Sequence, residues 1–63
     1  MAAVLFEARL IDEKGNSSAQ LARILFGVDS VEKKEESFRE LCQQKHPHLR
    51  IQEPITVSPA RLG

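Results

Sequence analysis

The sequence predicts a small α+β domain of β-α-α-β order, with two helices packed on a two-stranded sheet that a partner or a second copy completes. Three observations carry that expectation. In LRIQEPITVS, residues 49 to 58, Leu49, Ile51, Ile55 and Val57 fall on odd positions, while Arg50, Gln52, Thr56 and Ser58 fall on even ones. That is the period of a strand with one buried face. Residues 30 to 46 carry a helical stripe bounded by a capping signal and a proline. Finally, the chain has 63 residues, and a domain so short buries only about 60% of the surface its unfolded form exposes. The alternative expectation is an all-α three-helix domain with an extended C-terminal tail.

The two readings divide at the first segment, VLFEARLID. As a strand it sets Val4, Phe6, Ala8 and Leu10 on one face; as a helix it stacks Val4, Ala8 and Ile11, with Gly15 as a C-terminal cap. Asp12, Glu13, Lys14, Gly15 and Asn16 supply turn residues, and the C-terminal strand needs a neighbour, so a strand over residues 3 to 12 is favoured. Ser17 or Ser18 then caps a short helix over residues 18 to 26, in which Leu21, Ile24, Leu25 and Val28 follow the i, i+3, i+4, i+7 spacing. Gly27 ends it. Asp29 with Glu32 resembles a capping box opening a helix over residues 30 to 46, with Val31, Phe38, Leu41 and Cys42 inward and Lys34 and Glu35 interrupting that face. Pro47 stops it. The closing strand spans residues 49 to 57, and Pro54, which cannot donate to a ladder, places it at a sheet edge. One domain over residues 1 to 58 and a flexible tail over 59 to 63 follow.

Nine basic and nine acidic side chains give zero formal charge, so the whole-molecule field that draws proteins to nucleic acid or anionic lipid is missing. The apolar runs, Ala2 to Phe6 and Ile24 to Phe26, are far shorter than the roughly 18 residues of a membrane span. No basic stretch precedes the first of them, so no secretory signal is expected. The expectation is a soluble intracellular protein, cytoplasmic or nuclear, in which the formal glycosylation acceptor Asn16-Ser17-Ser18 is inert. A single cysteine rules out an internal disulfide and leaves a partner subunit as the simplest source of extra stability.

The chemistry-bearing residues are few. Cys42, His46 and His48 are the residues whose donors suit a transition metal, and Cys42 and His46 share a helical face at i, i+4. No fourth ligand accompanies them, and Pro47 turns the chain between the histidines. The same set is the available thiol and imidazole for covalent catalysis, but no acid or amide is spaced to orient the histidine. The three glycines are scattered singly, so no phosphate loop forms. Neither a metal, a cofactor nor a small-molecule substrate is expected.

SSAQLARILFGVDSVEKK resembles a repressor-type helix-turn-helix, with one residue more than usual before Gly27. That resemblance implies DNA binding through residues 17 to 45. Against it, Asp29 to Glu36 holds four acids and two lysines where a recognition helix faces phosphates. FRELCQQKHPHLR resembles the end of the second helix and the following loop of a J domain, the chaperone-docking module. That family's loop reads His-Pro-Asp, and His48 stands in the third place, so the docking function is not carried over. Ser58-Pro59-Ala60-Arg61 matches a proline-directed kinase consensus.

The reading that remains is a non-enzymatic protein-interaction module: an adaptor, inhibitor or regulatory subunit acting through dimerisation or docking. Its expected contact residues are Phe6 and Leu10 on the first strand and Ile51, Ile55 and Val57 on the last.

Overall fold

A computed structural model describes residues 3 to 60. The order is β-β-α-β: β1 Val4–Ile11, β2 Ser17–Leu25, α1 Val31–Lys45 and β3 Arg50–Pro59. The strands form one sheet in the order β2-β1-β3, with β1 antiparallel to both neighbours. β2 and β3 therefore run parallel on either side of β1, joined by α1 across one face.

This overturns the two-stranded sheet with two helices, and the all-α alternative with it. Residues 17 to 25 are a strand, not a helix. The reason lies in β1. Val4, Phe6, Ala8 and Leu10 are all buried, so β1 is a central strand and needs a ladder on both sides. A nine-residue segment in which Ala19, Leu21 and Leu25 also alternate can supply one. Helical periodicity is a weak signal over so few residues, and the demand of the central strand overrides it.

The turn between β1 and β2 fixes the hairpin. The amide of Gly15 donates to the Asp12 carbonyl and that of Asp12 to the Asn16 carbonyl, both at 3.0 Å. The Asp12 carboxylate accepts from the amides of Lys14 and Asn16, both at 2.9 Å. Gly15 takes φ 84, the left-handed value that closes a turn of this length with a bulge. Ser18 is extra in the ladder, since Leu10 pairs with Ala19 and Ile11 with Ser17.

The N-cap of α1 is Ser30, not Asp29: the Ser30 hydroxyl accepts from the Lys33 amide at 3.2 Å. It ends where the His46 amide bonds the Cys42 carbonyl at 2.9 Å, just before Pro47. Its inward line is Lys34, Phe38 and Cys42, spaced i, i+4, i+8. Lys34 thus continues the buried face that its charge was expected to interrupt. Val31 is exposed and Leu41 half-buried. The rings of Phe6 and Phe38 stack with centroids 5.5 Å apart, and fully burying such side chains stabilises by about 1.5–3 kcal/mol each.

β3 sits at the sheet edge, as Pro54 requires. Glu7 pairs with Thr56 and Arg9 with Gln52, so Glu53, Pro54 and Ile55 all stand opposite Ala8. The Glu53-Pro54 bond is cis. β3 runs through Pro59, and the Ala60 amide donates to the Ala3 carbonyl at 3.0 Å. The rest of the expected tail, residues 61 to 63, lies outside the described residues.

Candidate protein-docking edge

The five expected contact residues divide sharply. Phe6 is 0% and Leu10 1% exposed, and Ile55 is buried beside them. Burial under α1 takes all three out of reach of a partner while the chain is folded. Ile51 is half-buried against the same core, and Val57 alone is substantially open, at 40% exposure. The face expected to need outside cover is covered by α1. The opposite face of the sheet carries the exposed polar residues Glu7, Arg9, Gln20, Gln52 and Thr56 beside the apolar Leu5, Ile11, Ala22 and Ile24, and its polar side chains keep much of it solvated.

What remains unsatisfied is backbone. In an antiparallel ladder the amide and carbonyl of one residue point to the same side, and successive residues alternate. The Ala3 carbonyl is bonded by Ala60 beyond β3, and the Asp12 amide bonds Asn16 beyond β2. Odd residues of β1 therefore pair toward β3 and even residues toward β2. It follows that Ala19, Leu21, Arg23 and Leu25 spend their backbone groups on β1. Gln20, Ala22 and Ile24 direct theirs outward, where no strand among the described residues meets them.

The β3 edge differs. Its outward residues are Ile51 and Val57, interrupted by the Glu53-Pro54-Ile55 bulge, and then Pro59, which has no amide hydrogen. A charged fork reinforces the interruption. The guanidinium of Arg39 donates to both Glu53 carboxylate oxygens, at 2.7 and 3.0 Å, and to Glu35 at 3.1 Å. The hydrogen bond to Glu53 is the main cause that raises Arg39 above its ordinary range, and the same bond holds the Glu53 carboxyl below its own. Bulges, prolines and charges are the means by which proteins blunt sheet edges. β2, by contrast, contains no proline and one charged residue, Arg23.

Four exposed large apolar residues follow one another along the chain from the end of β2 into the start of α1: Ile24, Phe26, Val28 and Val31. Residues 26 to 30 connect β2 to α1, and Lys34 ties this connection down. Its ammonium donates to the carbonyls of Gly27 at 3.1 Å and Asp29 at 2.8 Å, with the side chain 4% exposed. A buried ammonium left without such acceptors is costly. Sequence reading missed this role; the signal available was a lysine in register with Phe38 and Cys42.

The other candidate groups are dispersed. Cys42 is buried, and desolvation pushes its thiol up, away from the reactive thiolate. His46 is half-buried and His48 exposed. No three His, Cys, Asp or Glu side chains gather as metal ligands among the described residues. The helix-turn-helix loses its first helix to β2, and the J-domain-like segment leads into β3 instead of another helix. Ser58 is paired with Leu5 inside the sheet, while Arg61 of the kinase consensus lies outside the described residues. No helix of the described residues is long and apolar enough to cross a membrane.

Comparison with family models, with curated proteins and with solved structures finds no match to this chain.

Proposed function

We propose that the chain is a non-enzymatic protein-interaction module, an adaptor, inhibitor or regulatory subunit, that docks by adding β2 to a strand of another polypeptide. The observation that carries this reading is the contrast between edges: three successive outward-facing residues on β2 are free, while the β3 edge is broken by a bulge and two prolines. Strand addition uses main-chain hydrogen bonds for affinity and neighbouring apolar side chains for specificity. Ile24, Phe26, Val28 and Val31 offer the second at one end of the strand. The expected contact set changes accordingly, with Gln20, Ala22 and Ile24 taking the place of the buried Phe6, Leu10 and Ile55, and Ile51 and Val57 left on the blocked edge.

A photo-crosslinking side chain at Ala22, compared with one at Val57, tests this in the cell that makes the protein. Both positions are exposed. Docking through β2 gives adducts from position 22 and few from 57. The reverse pattern, or no adduct from either position, contradicts the proposal.

A further inference from the structure

We infer that the polypeptide on the β2 edge is a second copy of this chain, paired antiparallel through β2 about a two-fold axis at Ala22. The inference rests on β2 being the docking edge and names its occupant. Outward residues can pair only with outward residues, which restricts the registers open to a symmetric pair. An axis at Ala22 sets Ala22 against Ala22 and Gln20 against Ile24 of the second copy, so all three outward residues bond. An axis at Leu21 carries Ile24 to Ser18 of the second copy, inside the bulge that already distorts the hairpin. An axis at Arg23 opposes two guanidinium groups, which is unfavourable directly across a ladder.

The Ala22 register also suits the side chains. The methyl at the axis leaves room for close approach of the two strands. On the face that bears α1, the aliphatic stem of Arg23 lies across from Leu21 of the second copy, and Ala19 across from Leu25. Phe26, 53% exposed in the single chain, is brought to Ser18 of the second copy. Charge does not oppose the union: Arg23 is the one charged residue of β2, and the whole chain carries formal net charge zero, so two copies do not repel each other as wholes. β3 has no such solution, because the bulge interrupts its outward residues. The result is a continuous six-stranded sheet with both helices on one side, a closed isologous assembly of the commonest oligomer symmetry.

Sedimentation of the full chain across the micromolar range, with two charge variants, tests the pairing. The wild type should approach twice 7.1 kDa. Ala22→Lys and Ala22→Glu should each weaken the dimer on the order of tenfold or more, since each sets like charges against each other at the axis. Mixing the two variants should restore it. Position 22 is exposed and lies opposite Glu7 in the single chain, so Ala22→Lys faces an opposite charge within its own chain and Ala22→Glu a like one; far-ultraviolet dichroism of both variants should still match the wild type. A wild type that stays at 7.1 kDa overturns self-pairing while leaving docking on another protein intact. A dimer indifferent to both variants overturns self-pairing through β2 and places the contact between copies elsewhere. Variants that dissociate and are not rescued by mixing overturn the axis at Ala22.

Discussion

The two edges of this sheet are built from strands of similar length, nine residues in β2 and ten in β3, yet they are finished in opposite ways. β3 holds Pro54 in a bulge, ends on Pro59 and fastens Glu53 to the helix through Arg39. β2 has no proline and no such ion pair, its one bulge lies at Ser18 beside the turn, and its outward amides and carbonyls from Gln20 to Ile24 form an uninterrupted row. A small domain can leave one edge open without polymerising if the other is closed, because two open edges would template an endless sheet. On the proposed reading the asymmetry is the feature that matters: one edge limits association so that the other can perform it.

The largest test of this contrast places proline at two neighbouring positions of β2. At Leu21 the amide belongs to the ladder with β1, so Leu21→Pro removes a ladder bond and half-buried packing together. A loss of about 3 kcal/mol or more is expected, enough to unfold much of a chain with so thin a core. At Ala22 the amide points outward, and proline is tolerated on an edge strand with its missing hydrogen toward solvent. Ala22→Pro should therefore abolish association while keeping the thermal midpoint close to that of the wild type measured at concentrations where it is dissociated. Equal destabilisation by the two prolines would show that the outward assignment of Gln20, Ala22 and Ile24 is mistaken.

A smaller effect is expected at the corner where β2 meets α1. Lys34→Met keeps the aliphatic stem beside Phe38 but leaves the Gly27 and Asp29 carbonyls without their donor. Leaving such acceptors unsatisfied costs about 1–3 kcal/mol. Hydrogen exchange should quicken over residues 26 to 30 more than over β3. Uniform quickening across the sheet would mean that Lys34 serves the core as a whole and not this connection.

These positions also mark what was legible in the sequence. The edge position of β3 was readable from one residue, since Pro54 permits little else, and α1 was readable from its spacing and from Pro47. β1 was readable as a strand from alternation alone. β2 was not, because Leu21, Ile24, Leu25 and Val28 satisfy a helix while Ala19, Leu21 and Leu25 satisfy a strand, and Arg23 spoils the alternation. Arg23 lies opposite Phe6 on the helix-bearing side yet stays exposed, as the outer strand of a small sheet allows. The missed signal was the turn: five residues containing Gly15 between two apolar runs specify a hairpin. The site followed the same logic. With β2 read as a helix, Phe6, Leu10 and Ile55 looked available to a partner, whereas a third strand and the helix use them for the protein's own core.

The smallest effect concerns how β3 is closed, whether by its backbone or by its charges. Arg39 holds the Glu53 carboxyl below the usual carboxylate range, so the ionised form is favoured in the folded chain. The stability this contributes is present above the ordinary carboxylate value and is lost as pH falls through it toward the lowered folded-state value. Glu53→Gln should remove that part of the acid sensitivity of the urea midpoint and alter the neutral-pH midpoint little, because the pair is solvent-exposed and screened. An unchanged acid limb would mean that the fork does not persist in solution. Association is the sharper readout. The bulge and both prolines survive Glu53→Gln, so the β3 edge should stay closed and the assembly should remain finite. Growth of larger species would instead locate the barrier in the Arg39–Glu53 fork, and edge closure here would be electrostatic and sensitive to salt.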